Sequence, residues 1–186
     1  MISRWRNALA SKILWQGGII AYPTEAVWGL GCIPENLEGV RRILSLKNRS
    51  VDRGVILVAA DISQFDVYLE ELSQPQLDRL RSRWPGPFTY LVEDNGAAPH
   101  WLTGDHKTLA LRVSAHPVIQ AICRTAGSAL VSTSANPTGK KPARDALWVR
   151  KYFGNQLDMI YPGELGDRSH PSQIVDLSSN TILREG

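Results

Sequence analysis

The chain has 186 residues, 43% of them hydrophobic and 21% charged, with 21 Lys and Arg against 18 Asp and Glu for a net charge of +3. This balance excludes a disordered chain, a collagen-like repeat and a coiled coil. A length near the prior of about 150 residues per domain points to one domain over 1–186.

In chain order, Ser3 is placed to cap a helix whose apolar positions are Trp5, Ala8, Leu9 and Ile13, with Gly17-Gly18 as its stop. A short apolar strand runs from Gly18 to Tyr22 and breaks at Pro23. Asn36 caps a second helix with Leu37, Val40, Ile43 and Leu44 on one face, ending near Lys47-Asn48. Gly54 to Ala60 reads as a strand buried on both faces. Helical stretches follow near 61–70 and 73–83, the second with Ser73 as cap and Pro75 in its first turn. Trp84-Pro85-Gly86-Pro87 is a turn. Strands are expected over Phe88–Glu93 and Thr108–Val113, with a loop between them. A helix opens at Pro117 and closes at Gly127, and a strand over Ala129–Ser132 follows. A helix near 145–153 and short strands near 158–161, 173–177 and 181–184 finish the chain. The class is α/β: a single-domain twisted mixed sheet with flanking helices. Such sheets bind ligands at the carboxyl ends of their strands.

The longest wholly apolar run, Val55 to Ala60, is far short of the roughly 20 residues that span a bilayer, so no membrane contact is expected. The first residues, Met-Ile-Ser-Arg-Trp-Arg, contain no apolar core with a cleavage site. The two cysteines, Cys32 and Cys123, match no metal spacing and read as buried thiols. These features favour a reducing cytoplasm. Cations cluster in 41–53, 79–83 and 140–151; if the runs converge, they form an anion-binding surface.

Phosphate-loop, dinucleotide-fold, nucleophile-elbow and zinc-protease motifs are all missing. The four histidines have no ligand spacing, and no metal site is expected. Four constellations remain. Thr24 and Glu25 follow the strand that ends at Pro23, where a hydroxyl can hold a small polar ligand. Lys47 and Arg49 bracket one residue past a helix end and can face one polyphosphate, or simply sit well at a helix C-terminus. Ser132-Thr133-Ser134-Ala135-Asn136 places hydroxyls and an amide after an apolar strand, suited to phosphate or carboxylate or to a plain polar turn. Arg112 alternates with Leu109, Leu111 and Val113, so it needs an anionic partner if buried; a protein carboxylate serves as well as a substrate.

The ordered series PTEAVWGL, KNRS, WPGPFT, LRV, STSAN, PSQIVD and ILREG spans 23–186 and resembles the YrdC family. The resemblance implies a twisted α/β fold around a basic concave cleft. It implies an ATP-dependent nucleotidyltransferase that makes L-threonylcarbamoyladenylate and pyrophosphate from L-threonine, bicarbonate and ATP, with Mg²⁺ accompanying the ATP. A tRNA-modifying transferase complex would then modify the adenosine beside the anticodon, with tRNA contact through the basic cleft as an option. On the same resemblance, Thr24, Arg112, Ser132 and Ser172 hold threonine. Lys47, Arg49, Ser134, Asn136 and Arg184 hold ATP or the adenylate, with Lys47 and Arg49 as the catalytic cations. Glu25 is the only candidate base. A non-catalytic RNA-binding module is the alternative, and a relative using another carbamoyl donor is a third reading.

Overall fold

The computed structural model describes residues 3–186. Its helices are α1 (Arg4–Trp15), α2 (Leu37–Lys47), α3 (Asp66–Leu69), α4 (Gln74–Arg83), α5 (His100–Thr103), α6 (Pro117–Ala126) and α7 (Ala146–Phe153). Its strands are β1 (Ile20–Pro23), β2 (Trp28–Gly31), β3 (Ile56–Ala59), β4 (Phe88–Glu93), β5 (Thr108–Val113), β6 (Leu130–Ser134), β7 (Met159–Ile160), β8 (Gln173–Asp176) and β9 (Ile182–Arg184). Among the described residues the strands form one mixed sheet in the order β7-β1-β2-β6-β3-β5-β4-β8-β9. The β1–β7, β3–β5 and β4–β8 pairs are parallel and the others antiparallel.

Each central strand divides its side chains between two cores. On one face Ala21, Leu30, Leu57, Ala59 and Leu111 pack under Val40, Ile43 and Leu44 of α2 and Val149 and Phe153 of α7. On the other, Ile20, Tyr22, Val58 and Leu130 meet Ala10 and Leu14 of α1 and Val118, Ile119 and Ile122 of α6. Period-2 alternation in strands that feed two helical layers produces this arrangement.

The Asn36 cap holds as expected, its side chain accepting from the Gly39 N–H at 2.8 Å. Gly127 closes α6 at φ 68° in the left-handed region. Four expectations are corrected. α1 buries Ala10 and Leu14, while Trp5 is 70% exposed, and the Ser3 side chain makes no capping bond. The helix therefore lies with a different face inward from the one its apolar spacing suggests. β2 is a strand that apolar periodicity does not reveal, because two of its four residues are glycines. The segment between β4 and β5 holds the single turn α5. β6 runs to Ser134, so Thr133 and Ser134 pair with Leu30 and Gly29 instead of starting a loop.

Candidate functional site

α1 and α6 cover only part of their face of the sheet. The uncovered part is the floor of a cavity of about 490 Å³, within the usual range of small-ligand sites. The floor crosses four strands in register: Ser132 opposite Ile56, Ile56 opposite Ala110, and Ala110 opposite Leu91. The small side chains of Ser132 and Ala110 alternate with Ile56 and Leu91 across it. The cavity thus spreads over the sheet face, and is not confined to the carboxyl ends of the strands.

Of the sequence-nominated residues, Thr24, Arg49, Arg112, Ser132, Ser134, Ser172 and Arg184 line this cavity. Thr24 stands in the β1–β2 turn, where its hydroxyl donates to the Val27 carbonyl at 2.7 Å. Ser172 is buried, its hydroxyl 2.7 Å from that of Thr89. Arg184 lies over Ser172, with Nη2 donating to the Ser172 carbonyl at 2.6 Å. Burial, then the Arg112 charge, lowers the Arg184 pKa.

Arg112 projects from β5 into the cavity and is ion-paired with Glu25. Its Nε donates to the Gly86 carbonyl at 3.2 Å. Burial raises the Glu25 pKa, but the Arg112 charge and the hydrogen bonds from Arg112 and Ser114 outweigh it, and the carboxyl stays below its ordinary value. Glu25 is therefore an ionised partner of Arg112, which weakens it as a base at neutral pH.

Lys47 and Asn136 are not among the lining residues. The Lys47 ammonium, 3% exposed, donates to the carbonyls of Ser134 and of Asn136, the latter at 2.8 Å. The Thr138 N–H returns a bond to the Lys47 carbonyl at 2.7 Å. Asn136 spends its amide on the carbonyls of Pro137 and Lys140. Both residues hold the end of β6 at Ser134 and the turn that follows it. Burial, then the Arg49 charge, brings the Lys47 pKa down to about 8.

Arg49 keeps its guanidinium on the cavity wall, with Nη2 donating to the Gly54 carbonyl at 2.9 Å and Nε buried without a partner. Arg53, His106, Arg168 and His170 also line the cavity. The sequence reading did not assign these four; they lie outside the motif positions carrying the assignments, and only Arg53 stood out, as part of a basic run. Of the three basic runs, only 41–53 sends cations into the lining, through Arg49 and Arg53. Among the described residues, no group of three or more His, Cys, Asp or Glu is gathered to hold a metal ion, and no helix is long and apolar enough to cross a membrane.

A family model, Sua5/YciO/YrdC, described as telomere recombination, matches residues 12–186. A threonylcarbamoyl-AMP synthase of Cellvibrio japonicus (strain Ueda107) is 50% identical over 175 residues, covering 94% of this chain and 93% of the relative. One from Pseudomonas fluorescens (strain Pf0-1) is 50% identical over 184 residues, 99% of each chain. The crystal structure of P. abyssi Sua5 complexed with L-threonine matches with a TM-score of 0.88 at 27% identity over 95% of this chain, which spans 52% of the Sua5 length.

Proposed function

The chain belongs to the Sua5/YciO/YrdC family, and from that premise we propose that it condenses L-threonine, bicarbonate and ATP into L-threonylcarbamoyladenylate and pyrophosphate. One observation carries the reading: a single cavity holds both Arg112, which is ion-paired, and Arg49, which has no carboxylate partner. The first suits the carboxylate of an amino acid and the second a polyphosphate. Relatives of about the same length carry the synthase name, which favours catalysis over a non-catalytic RNA-binding module.

In this reading Thr24, Arg112, Ser132 and Ser172 bind threonine, and the Sua5 complex with threonine supports an amino-acid site in this fold. Arg49, Ser134 and Arg184 bind ATP, which enters with its Mg²⁺ as substrate. Lys47 and Asn136 act by holding the β6 end that carries Ser134 and the turn beyond it. The threonine amine attacks CO₂ derived from bicarbonate and loses a proton, giving a carbamate. A carbamate oxygen attacks the α-phosphorus, the bond to the β-phosphate oxygen breaks, and pyrophosphate leaves. No covalent enzyme intermediate is required; juxtaposition and the charge of Arg49 near the departing phosphates lower the barrier. The cations at 49, 53, 112, 168 and 184, set against Glu25 in the lining, make the cavity the basic cleft of this reading. The adenylate then passes to a tRNA-modifying transferase complex, which places the reaction in the cytoplasm.

The test is pure protein with MgATP, L-threonine and bicarbonate, read by pyrophosphate release and by the adenylate mass. Product that needs both threonine and bicarbonate is expected. ATP bound without product formation would overturn the reading.

A further inference from the structure

Arg112 is held along one edge. Its Nε is taken by the Gly86 carbonyl and its Nη2 by Glu25, which leaves Nη1 for a ligand. Glu25 is itself fixed from three directions. The Ser114 hydroxyl donates to Oε1 at 2.7 Å, and the same hydroxyl oxygen accepts from the His116 N–H at 3.0 Å. The Arg168 N–H donates to the Glu25 carbonyl at 3.1 Å. Gly166 lies so close that a Cβ there would sit 3.0 Å from the Glu25 Cα. The backbone contacts fix where the side chain starts, and the Ser114 hydroxyl and Arg112 tether Oε1 at its far end, so the carboxylate stays beside Arg112.

We infer that Glu25 is a positioning and specificity-determining residue: it aims the free edge of Arg112 into the cavity and makes that clamp select a zwitterionic amino acid over a simple carboxylate. The inference rests on the proposed reading of this end of the cavity as the threonine site. The pair is formally neutral, and both side chains are largely buried, 12% and 15% exposed. A carboxylate reaching Arg112 meets the fixed negative charge of Glu25 at close range, where screening by water is weak. A ligand that carries its own α-ammonium offsets that repulsion, and a ligand without one does not.

The test compares L-threonine with 2,3-dihydroxybutanoate, the same skeleton with a hydroxyl in place of the amine, each titrated by calorimetry. In the unmodified protein, threonine is expected to bind at least tenfold more tightly. Glu25→Gln keeps the shape and an acceptor for Arg112 but removes the charge, and the ratio is expected to shrink to about threefold or less. A merely structural role weakens both ligands together and leaves the ratio unchanged, which would overturn the inference. Should Glu25→Gln not fold, Ser114→Ala loosens the same carboxylate. It is expected to shrink the same calorimetric ratio by a few-fold; a ratio that does not move counts against the inference. Binding is measured without turnover. Selective binding in a protein that releases no pyrophosphate upholds the role of Glu25 and removes the synthase reading.

Discussion

Two arginines of the same cavity live in opposite electrostatic surroundings. Arg112 shares its charge with a carboxylate, so the pair itself is formally neutral. Arg49 has only the carbonyls of Arg53 and Gly54 for partners and keeps a buried Nε with none. Burial, then the nearby Arg53, lowers its pKa, a sign of uncompensated positive charge. The difference teaches how one residue type does two jobs. A compensated arginine orients and discriminates, because any charge added to it must bring its own counterion. An uncompensated arginine collects negative charge, and a polyphosphate relieves the strain of leaving it unpaired.

The sharpest way to break that comparison is to remove each arginine in turn. Arg49→Ala is expected to lower kcat/KM for ATP by about 100-fold or more, the usual scale for losing a cation from a site of developing phosphate charge. Threonine binding should stay within about twofold, since the lost group belongs to the other end of the cavity. Arg112→Ala should do the reverse, raising the threonine KM about 10- to 100-fold, the scale of a lost charge-assisted hydrogen bond, with the ATP KM nearly unchanged. Steady-state kinetics with each substrate varied separately check both. Equal losses on both substrates in either variant would dissolve the division.

Lys47 offers a second, pH-dependent way to sharpen it. Its pKa in the fold, about 8, lies below its ordinary 10.5. Between those values the unfolded chain binds more protons at this site than the folded one. Stability from this group therefore rises with pH across that window. Activity should move oppositely. As pH passes about 8 the ammonium holding the Ser134 and Asn136 carbonyls loses its charge, and the end of β6 at Ser134 loosens. The expected outcome is an alkaline limb in kcat/KM for ATP, about tenfold over the next pH unit, with no such limb for threonine. Lys47→Arg, with its higher pKa, should move or remove that limb. A limb that survives the change would assign it to another group.

Much of the scaffold was legible because local chemistry and tertiary packing agree. Asn36 before an apolar 3–4 stripe gave α2, and the alternation about Arg112 gave the strand β5. Where packing overrides local pattern, the sequence misleads. Trp5 is apolar yet exposed, since only the Ala10–Leu14 side of α1 meets α6. Gly29 and Gly31 hid β2 from the apolar pattern, and they are glycines because Tyr22 lies over them. A Cβ on Gly31 would sit 2.8 Å from that ring. Of the candidate residues, Thr24, Ser132 and Ser134 drew attention at strand ends, whereas Ser172 and Arg184 entered only through the family resemblance. Two features were hidden. Lys47 looks like a ligand cation, yet two of its three ammonium donors go to backbone carbonyls, which no sequence pattern distinguishes from phosphate. Arg168 and His170 reach the cavity from the irregular segment between β7 and β8; their contribution depends on where that segment crosses the sheet, and a loop's path is not written in its composition.

That crossing supplies the smallest of the expected effects. The segment is pinned where the Gly166 N–H donates to the Thr24 carbonyl at 3.0 Å and the Arg168 N–H to that of Glu25. Gly166 is required there for space. A Cβ would stand 3.0 Å from the Glu25 Cα and 3.1 Å from its carbonyl oxygen, and both are backbone atoms that cannot rotate aside. Gly166→Ala must push the segment and the Glu25 backbone apart by a few tenths of an ångström. The cost of such overpacking is about 1–2 kcal/mol, readable as a lower urea midpoint with an unchanged m-value. Because the displaced backbone carries the carboxylate that holds Arg112, the threonine KM should rise by about two- to fivefold, in line with a weakened hydrogen bond to a charged group, while the ATP KM holds. A rise in the ATP KM instead would mean that the segment serves the phosphate end through Arg168, and that the Arg112–Glu25 pair keeps its geometry without it.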